Sequence, residues 1–137
     1  MGNRRKAREL TLQVLYQMEM QNTEPKAIFG HFWQHEEVSD EVKKFTTDLV
    51  EGNYRNRREI DALLERHSHH WKLERMAVVD RNILRVGVCE LLYYHDIPVN
   101  VVLNEAIEIA KRFGTADSSA FINGILDNVA KEVRKEK

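Results

Sequence analysis

Apolar residues recur at intervals of three and four along almost the whole chain, and no alternation of period two lasts long enough to build a sheet. A chain patterned this way can bury itself only as helices that each turn one stripe inward. Composition agrees, because 6 Gly and 2 Pro in 137 residues leave too few breaks for a turn-rich β-sandwich. At 42% hydrophobic and 31% charged, the chain is neither disordered nor collagen-like and has the size of one ordinary domain, residues 1–137. The expected fold is all-α, with about six or seven helices.

Residues 4 to 20 read as the first helix, with Ala7, Leu10, Thr11, Val14 and Met18 on its core side. On an ideal wheel Arg5, Arg8, Leu12 and Tyr16 fall within roughly 80° of one another, away from that stripe. A second segment follows Thr23 as cap and Pro25 as an early helical residue, carries Ile28, Phe29, Phe32 and Trp33, and ends near Glu36. Ser39 or Asp40 opens the next stretch, in which Val42, Phe45, Leu49, Ile60, Leu63 and Leu64 keep the spacing. This is either one long helix or two with a break near Gly52 to Asn56. The turn at His67 to Trp71 divides the chain into two halves. A broadly apolar helix runs from about Glu74 to His95 and should be the most buried. Ile97-Pro98 interrupts it, Asn100 caps a helix ending at Phe113 before Gly114, and Asp117 or Ser118 caps the last one. Lys131, Arg134, Lys135 and Lys137 are placed to complement that helix's C-terminal dipole.

A lone Cys89 excludes an internal disulfide and a multi-cysteine zinc site, and it sits in an apolar stretch that predicts core packing. Nothing resembles a signal peptide, and the mean hydropathy of −0.54 excludes a spanning helix. A cytoplasmic protein without a membrane anchor is expected. His31 and His35 stand at i, i+4, and His67, His69 and His70 cluster, but neither set supplies enough ligands for a metal site. His35-Glu36-Glu37 lacks the second histidine of HExxH. Glu105 and Glu108 share a helix without a nucleophile or base nearby, and no phosphate loop or dinucleotide fingerprint is present. A catalytic role and a cofactor are therefore not expected.

Charge distribution is more informative than the net charge of −1. Arg4, Arg5, Lys6 and Arg8 all precede the first acid, Glu9, making residues 1–9 a basic segment. Arginine pairs with phosphate through two parallel hydrogen bonds and stacks on bases, and Tyr16 on the same side adds a ring of the kind that receives unpaired bases.

The run Arg4-Arg5-Lys6-Ala7-Arg8-Glu9, followed by Val14-Leu15-Tyr16-Gln17, resembles the opening of the bacterial transcription antitermination factor NusB family. DRNILRVGVCELLY at 80 to 93, NEAIEIAKRFG at 104 to 114 and SSAFINGILDNVAK at 118 to 131 resemble three further motifs of that family in their usual order. The resemblance implies two small packed helical bundles and binding of single-stranded boxA RNA jointly with NusE, a small-subunit ribosomal protein. It also implies action within the RNA polymerase antitermination complex on ribosomal RNA operons, a link to ribosomal RNA maturation, and self-association in some members, so monomer and homodimer both stay open. By position it carries RNA contact to Arg4, Arg5, Lys6, Arg8, Tyr16, Phe113, Asp117, Ser118 and Phe121, and NusE contact to Glu74, Asp80, Arg81 and Arg85. Lys6 departs from a frequent arginine, keeping charge but losing bidentate geometry. The competing reading is a helical protein-interaction adaptor without direct RNA recognition.

Overall fold

The computed structural model describes residues 2–69 and 71–134, so the expectations for His70, Lys135 and Lys137 lie outside the described residues. Among the described residues the apolar periodicity resolves into seven α-helices, α1 Gly2–Gln21, α2 Pro25–Phe32, α3 Asp40–Arg55, α4 Arg57–His67, α5 Val78–Tyr93, α6 Val99–Phe113 and α7 Ser118–Val133, with a 3-10 turn at Leu73–Arg75. No strand occurs among the described residues. The chain separates into two compact units, Met1–Arg55 and Asn56–Lys137. That boundary corrects the expectation of a divide at the turn His67 to Trp71, because α4 packs on α5 and α7 and so belongs with the C-terminal half.

In the first unit α1 lies against α2 and α3, burying Ala7, Leu10, Val14 and Met18 with Ile28, Phe32, Val42, Leu49 and Val50. Ala7 is the point of close approach: its carbonyl accepts hydrogen bonds from Thr11 Oγ1 of its own helix (2.8 Å) and from Thr46 Oγ1 of α3 (3.3 Å). Both hydroxyls are thereby satisfied in an otherwise apolar contact. Asn22, with φ of 51°, ends α1 in the left-handed conformation, and Thr23 N–H donates to the Met18 carbonyl (3.0 Å). Thr23 thus closes α1 rather than capping α2, where Glu24 holds the N-cap position without a side-chain bond. Pro25 occupies the first helical position as its fixed φ predicts. Helix α2 stops at Phe32, short of Glu36, where Gln34 and His35 tighten into bonds to carbonyls three residues back. Ser39 caps α3, its Oγ accepting from Val42 N–H (3.2 Å). The break falls at Asn56, at the far end of the expected interval.

In the second unit α5 is the hub, buried from Asn82 through Leu91 and packed on α4, α6 and α7. Gly87 permits α7 to approach, since a Cβ there would lie 2.8 Å from Leu126 Cδ1. Cys89 is fully buried in this core. The helix is shorter than its periodicity suggests. Leu73–Arg75 forms a separate 3-10 turn, Met76 is extended, and Arg81 Nη1 donates to the Met76 carbonyl (2.8 Å) and that of Leu73 (3.4 Å). Pro98, not Asn100, precedes α6, its carbonyl accepting from Val101 and Val102 N–H.

Arg134 departs furthest from expectation. It is buried, and instead of facing solvent at the end of α7 it reaches the C-terminal end of α5. Its Nε donates to Leu91 O (2.8 Å), Nη1 to Ile97 O (2.8 Å), and Nη2 to Tyr94 O (2.9 Å) and Glu90 O (3.2 Å). One cation therefore satisfies the Leu91 and Ile97 carbonyls and adds a second donor to those of Glu90 and Tyr94.

Candidate nucleic-acid interface

Helix α1 carries the basic segment, and the tertiary structure splits its four cations into two groups. Arg4 and Arg8, one turn apart, both face α3, with their guanidinium carbons 4.5 and 5.6 Å from the centre of the Phe45 ring. Arg4 remains exposed, whereas Arg8 is only 3% exposed. This corrects the placement of Arg8 beside Arg5 on a solvent face, because the contact with α3 wraps further around α1 than its apolar stripe indicates. Arg5 is half-buried, Lys6 is exposed, and Tyr16 is exposed on the face that also carries Leu12. Arg5 and Tyr16 stand eleven residues apart, about 16 Å along the axis and nearly in line around it.

The second group of expected residues gathers at the corner joining α6 to α7. Gly114 is required there by space: a Cβ would meet Ser118 Oγ at 2.5 Å and the Ala110 carbonyl at 2.9 Å. Ser118 is buried, its Oγ accepting from Thr115 N–H (2.9 Å) and donating to Asp80 Oδ1 of α5 (2.7 Å). Its hydroxyl thus fixes the corner from inside and faces no ligand. Asp117 occupies the N-cap position of α7 and is exposed, but its side chain makes no capping bond. Of the two residues expected to cap α7, Asp117 thus holds the position without its carboxylate, and its backbone carbonyl accepts the first helical bond from Phe121 N–H (3.2 Å). Phe113 projects into solvent, with the Arg112 guanidinium 5.1 Å from its ring. Phe121, half-buried, meets Trp71 edge to face at 5.9 Å.

Trp71 was read in the sequence only as part of a turn, yet it is 54% exposed. The available signal was a tryptophan placed in a polar, histidine-rich connection instead of an apolar stripe.

Of the residues expected at a protein-partner surface, Glu74 is exposed and Asp80 is held by Ser118. Arg85 is buried and forms a bidentate pair with Asp61 of α4 (Nε to Oδ1 2.9 Å, Nη2 to Oδ2 3.1 Å), with Nη1 on Asn82 Oδ1 (3.2 Å). Burial, and then the nearby Arg85, lower the pKa of Arg81, which donates to the backbone as described. Both arginines thus fasten the N-terminal half of α5 to its own unit, and neither presents an open guanidinium.

His31 and His35 are exposed, with ring centroids 4.6 Å apart. His67 Nε2 lies 2.6 Å from Glu132 Oε1 and Arg66 Nη2 donates to Oε2 at 2.7 Å, so His67 first and Arg66 second hold the Glu132 carboxyl below its usual range. No group of three potential ligands placed to hold a metal ion exists among the described residues. No helix among them is long and apolar enough to cross a membrane.

The sequence and the fold of the chain have counterparts among known proteins. A transcription antitermination protein NusB of Myxococcus xanthus is 48% identical, covering 98% of this chain and 99% of its own. The fold matches T. maritima NusB with a TM-score of 0.87 at 38% identity, over 96% of this chain and 94% of that one. It also matches a crystal structure of the antitermination factors NusB and NusE in complex with dsRNA, with a TM-score of 0.84 at 26% identity, over 96% and 98% of the two chains. The profile of the NusB family covers residues 5–131, and the chain belongs to that family of transcription antitermination proteins.

Proposed function

We propose that this protein is a non-catalytic, cytoplasmic antitermination factor that binds the boxA segment of nascent ribosomal RNA together with NusE. In this reading it acts within the RNA polymerase antitermination complex and supports maturation of the transcript. The observation that carries the reading is the near-full-length likeness to a NusB described in complex with NusE and dsRNA; the single-strand preference rests on the resemblance and on the exposed rings. Local chemistry supports it. Arg4, Arg5 and Lys6 supply cations for the phosphate backbone, while Tyr16, Phe113 and Phe121 offer rings for unpaired bases. Arg8 contributes by holding α1 on α3 through Phe45, and Ser118 by holding the corner that carries Asp117 and Phe121. Glu74 is the accessible member of the set proposed to meet NusE; Arg81 holds the Leu73 and Met76 carbonyls on either side of it, while Asp80 and Arg85 are tied to Ser118 and to Asp61.

With three accessible cations at about 0.7 of a logarithmic salt unit per phosphate on single strands, the slope of log affinity against log salt should be near −2. Binding by this protein alone is then moderate, and NusE raises it by supplying a second RNA surface at high effective concentration. The test is a titration of labelled boxA RNA, a scrambled strand and a duplex of the same sequence, with and without NusE. Wild type is compared with a variant combining Arg5→Ala and Lys6→Ala. Preference for single-stranded boxA, strengthened by NusE and weakened by the double substitution, is expected. Binding of NusE without RNA preference under any condition refutes the RNA reading and leaves an adaptor.

A further inference from the structure

Resting on that reading, we propose that Trp71 is an RNA-binding residue that, braced by Phe121, forms a stacking step for one unpaired RNA base.

An indole is worth more buried than exposed, and a tryptophan left in solvent by a well-packed helical unit calls for an occupant. Trp71 is held in that position by its backbone. Buried Ser68 donates through Oγ to the Trp71 carbonyl (2.7 Å), and Trp71 N–H donates back to the Ser68 carbonyl (3.1 Å). The loop that presents the ring is therefore closed on itself before any ligand arrives. Phe121 meets the indole at an interplanar angle of 76°, bracing it from one side while more than half of Trp71 stays accessible. The indole N–H has no hydrogen-bond partner among the described residues, which leaves a donor for a base edge or a phosphate.

The surroundings select nucleic acid over an apolar protein ridge. Lys72 follows Trp71 directly and is exposed, as is Arg75 in the same connection. Across the α6–α7 corner Arg112 lies over the exposed ring of Phe113, and Lys111 precedes it. Alternating cations and aromatic rings are what a single strand needs, charge for its backbone and flat faces for its bases. The core of a protein interface is instead depleted of charge, lysine especially.

The chain has two tryptophans, Trp33 and Trp71. A Trp33→Phe background makes Trp71 the sole indole reporter. Titration with a single-stranded boxA oligonucleotide should quench its emission, with the midpoint found by anisotropy of the labelled RNA. Trp71→Ala should weaken RNA binding by about 5- to 150-fold, the loss of one base–aromatic stack. Trp71→Phe should lose less, and the salt slope should stay at its wild-type value because no cationic side chain is removed. Should Trp71→Ala unfold, as circular dichroism would reveal, the quench in the Trp33→Phe protein remains a complete test. RNA that binds in a manner sensitive to Arg5 and Lys6, but without quenching Trp71 or responding to its substitution, overturns this inference while the proposed function stands. Emission that responds to NusE alone and not to RNA also overturns it, by placing a protein on the indole. Absence of any RNA binding by the wild type refutes both.

Discussion

Removing the Arg134 guanidinium should destabilise the C-terminal unit far more than its position at the end of the chain suggests. Its four acceptors are not equivalent. The Glu90 carbonyl also accepts from Tyr94 N–H and the Tyr94 carbonyl from Ile97 N–H, so both keep a partner in Arg134→Ala. Leu91 and Ile97 are buried, and their carbonyls lose the bonds Arg134 donates at 2.8 Å. Two orphaned carbonyls, at roughly 1–3 kcal/mol each, together with the lost stem packing, give about 3–5 kcal/mol. Arg134→Lys keeps the charge but has no planar fork to span carbonyls on two segments, so about half of that loss is expected. Urea unfolding followed by far-ultraviolet circular dichroism, at constant slope, measures both. If Arg134 merely complemented the dipole of α7, alanine would cost only about 0.3–1 kcal/mol and lysine would substitute fully. Either of those results refutes the assignment to α5.

Three further outcomes are expected. Gly114→Ala should cost on the order of 1–3 kcal/mol by the same unfolding assay, since the new methyl meets backbone at Ala110, whereas Gly124→Ala, with open space inside α7, should stabilise by about 0.5–1 kcal/mol. The Tyr93 phenol, pushed up to about 12 by burial and then by its hydrogen bond to Glu59, should titrate above the ordinary phenol value in an absorbance titration at alkaline pH, and Glu59→Gln should bring it down. Because its folded pKa is raised, its contribution to stability is complete below about pH 10 and is lost as pH rises towards 12. Asp117→Asn should leave the melting temperature unchanged, there being no carboxylate cap to lose, and RNA affinity measured by anisotropy should be equal or higher; a clear loss with an intact fold would make the charge part of recognition.

How much of the site was legible depended on the range of the interaction that decides each residue. Tyr16 is exposed and Cys89 buried as helical spacing implies, because each answer is set by the face of one helix. Arg8 and Arg85 were read as surface cations and are buried. Phe45 accounts for the first and Asp61 for the second, residues 37 and 24 positions away along the chain. Ser118 looked like a cap and is a tie to Asp80, a pairing across 38 residues that no local rule encodes. Trp71 was passed over because periodicity identifies residues that belong in a stripe and says nothing of an aromatic ring in a connection.

By itself the sequence determined what depends on neighbours three or four residues away: helical class, approximate number of helices, the Ile97-Pro98 interruption, the basic start and the family resemblance, while the break at Asn56 was only one of two open readings. Only the tertiary structure decided where the long arginine side chains end, which carbonyls they satisfy, where the two units divide and which aromatic rings remain in solvent. The physical reason is reach. Hydrophobic spacing specifies a face for each helix, whereas a guanidinium on a flexible stem takes its place from whichever buried acceptors or rings the packing of distant segments leaves without a partner.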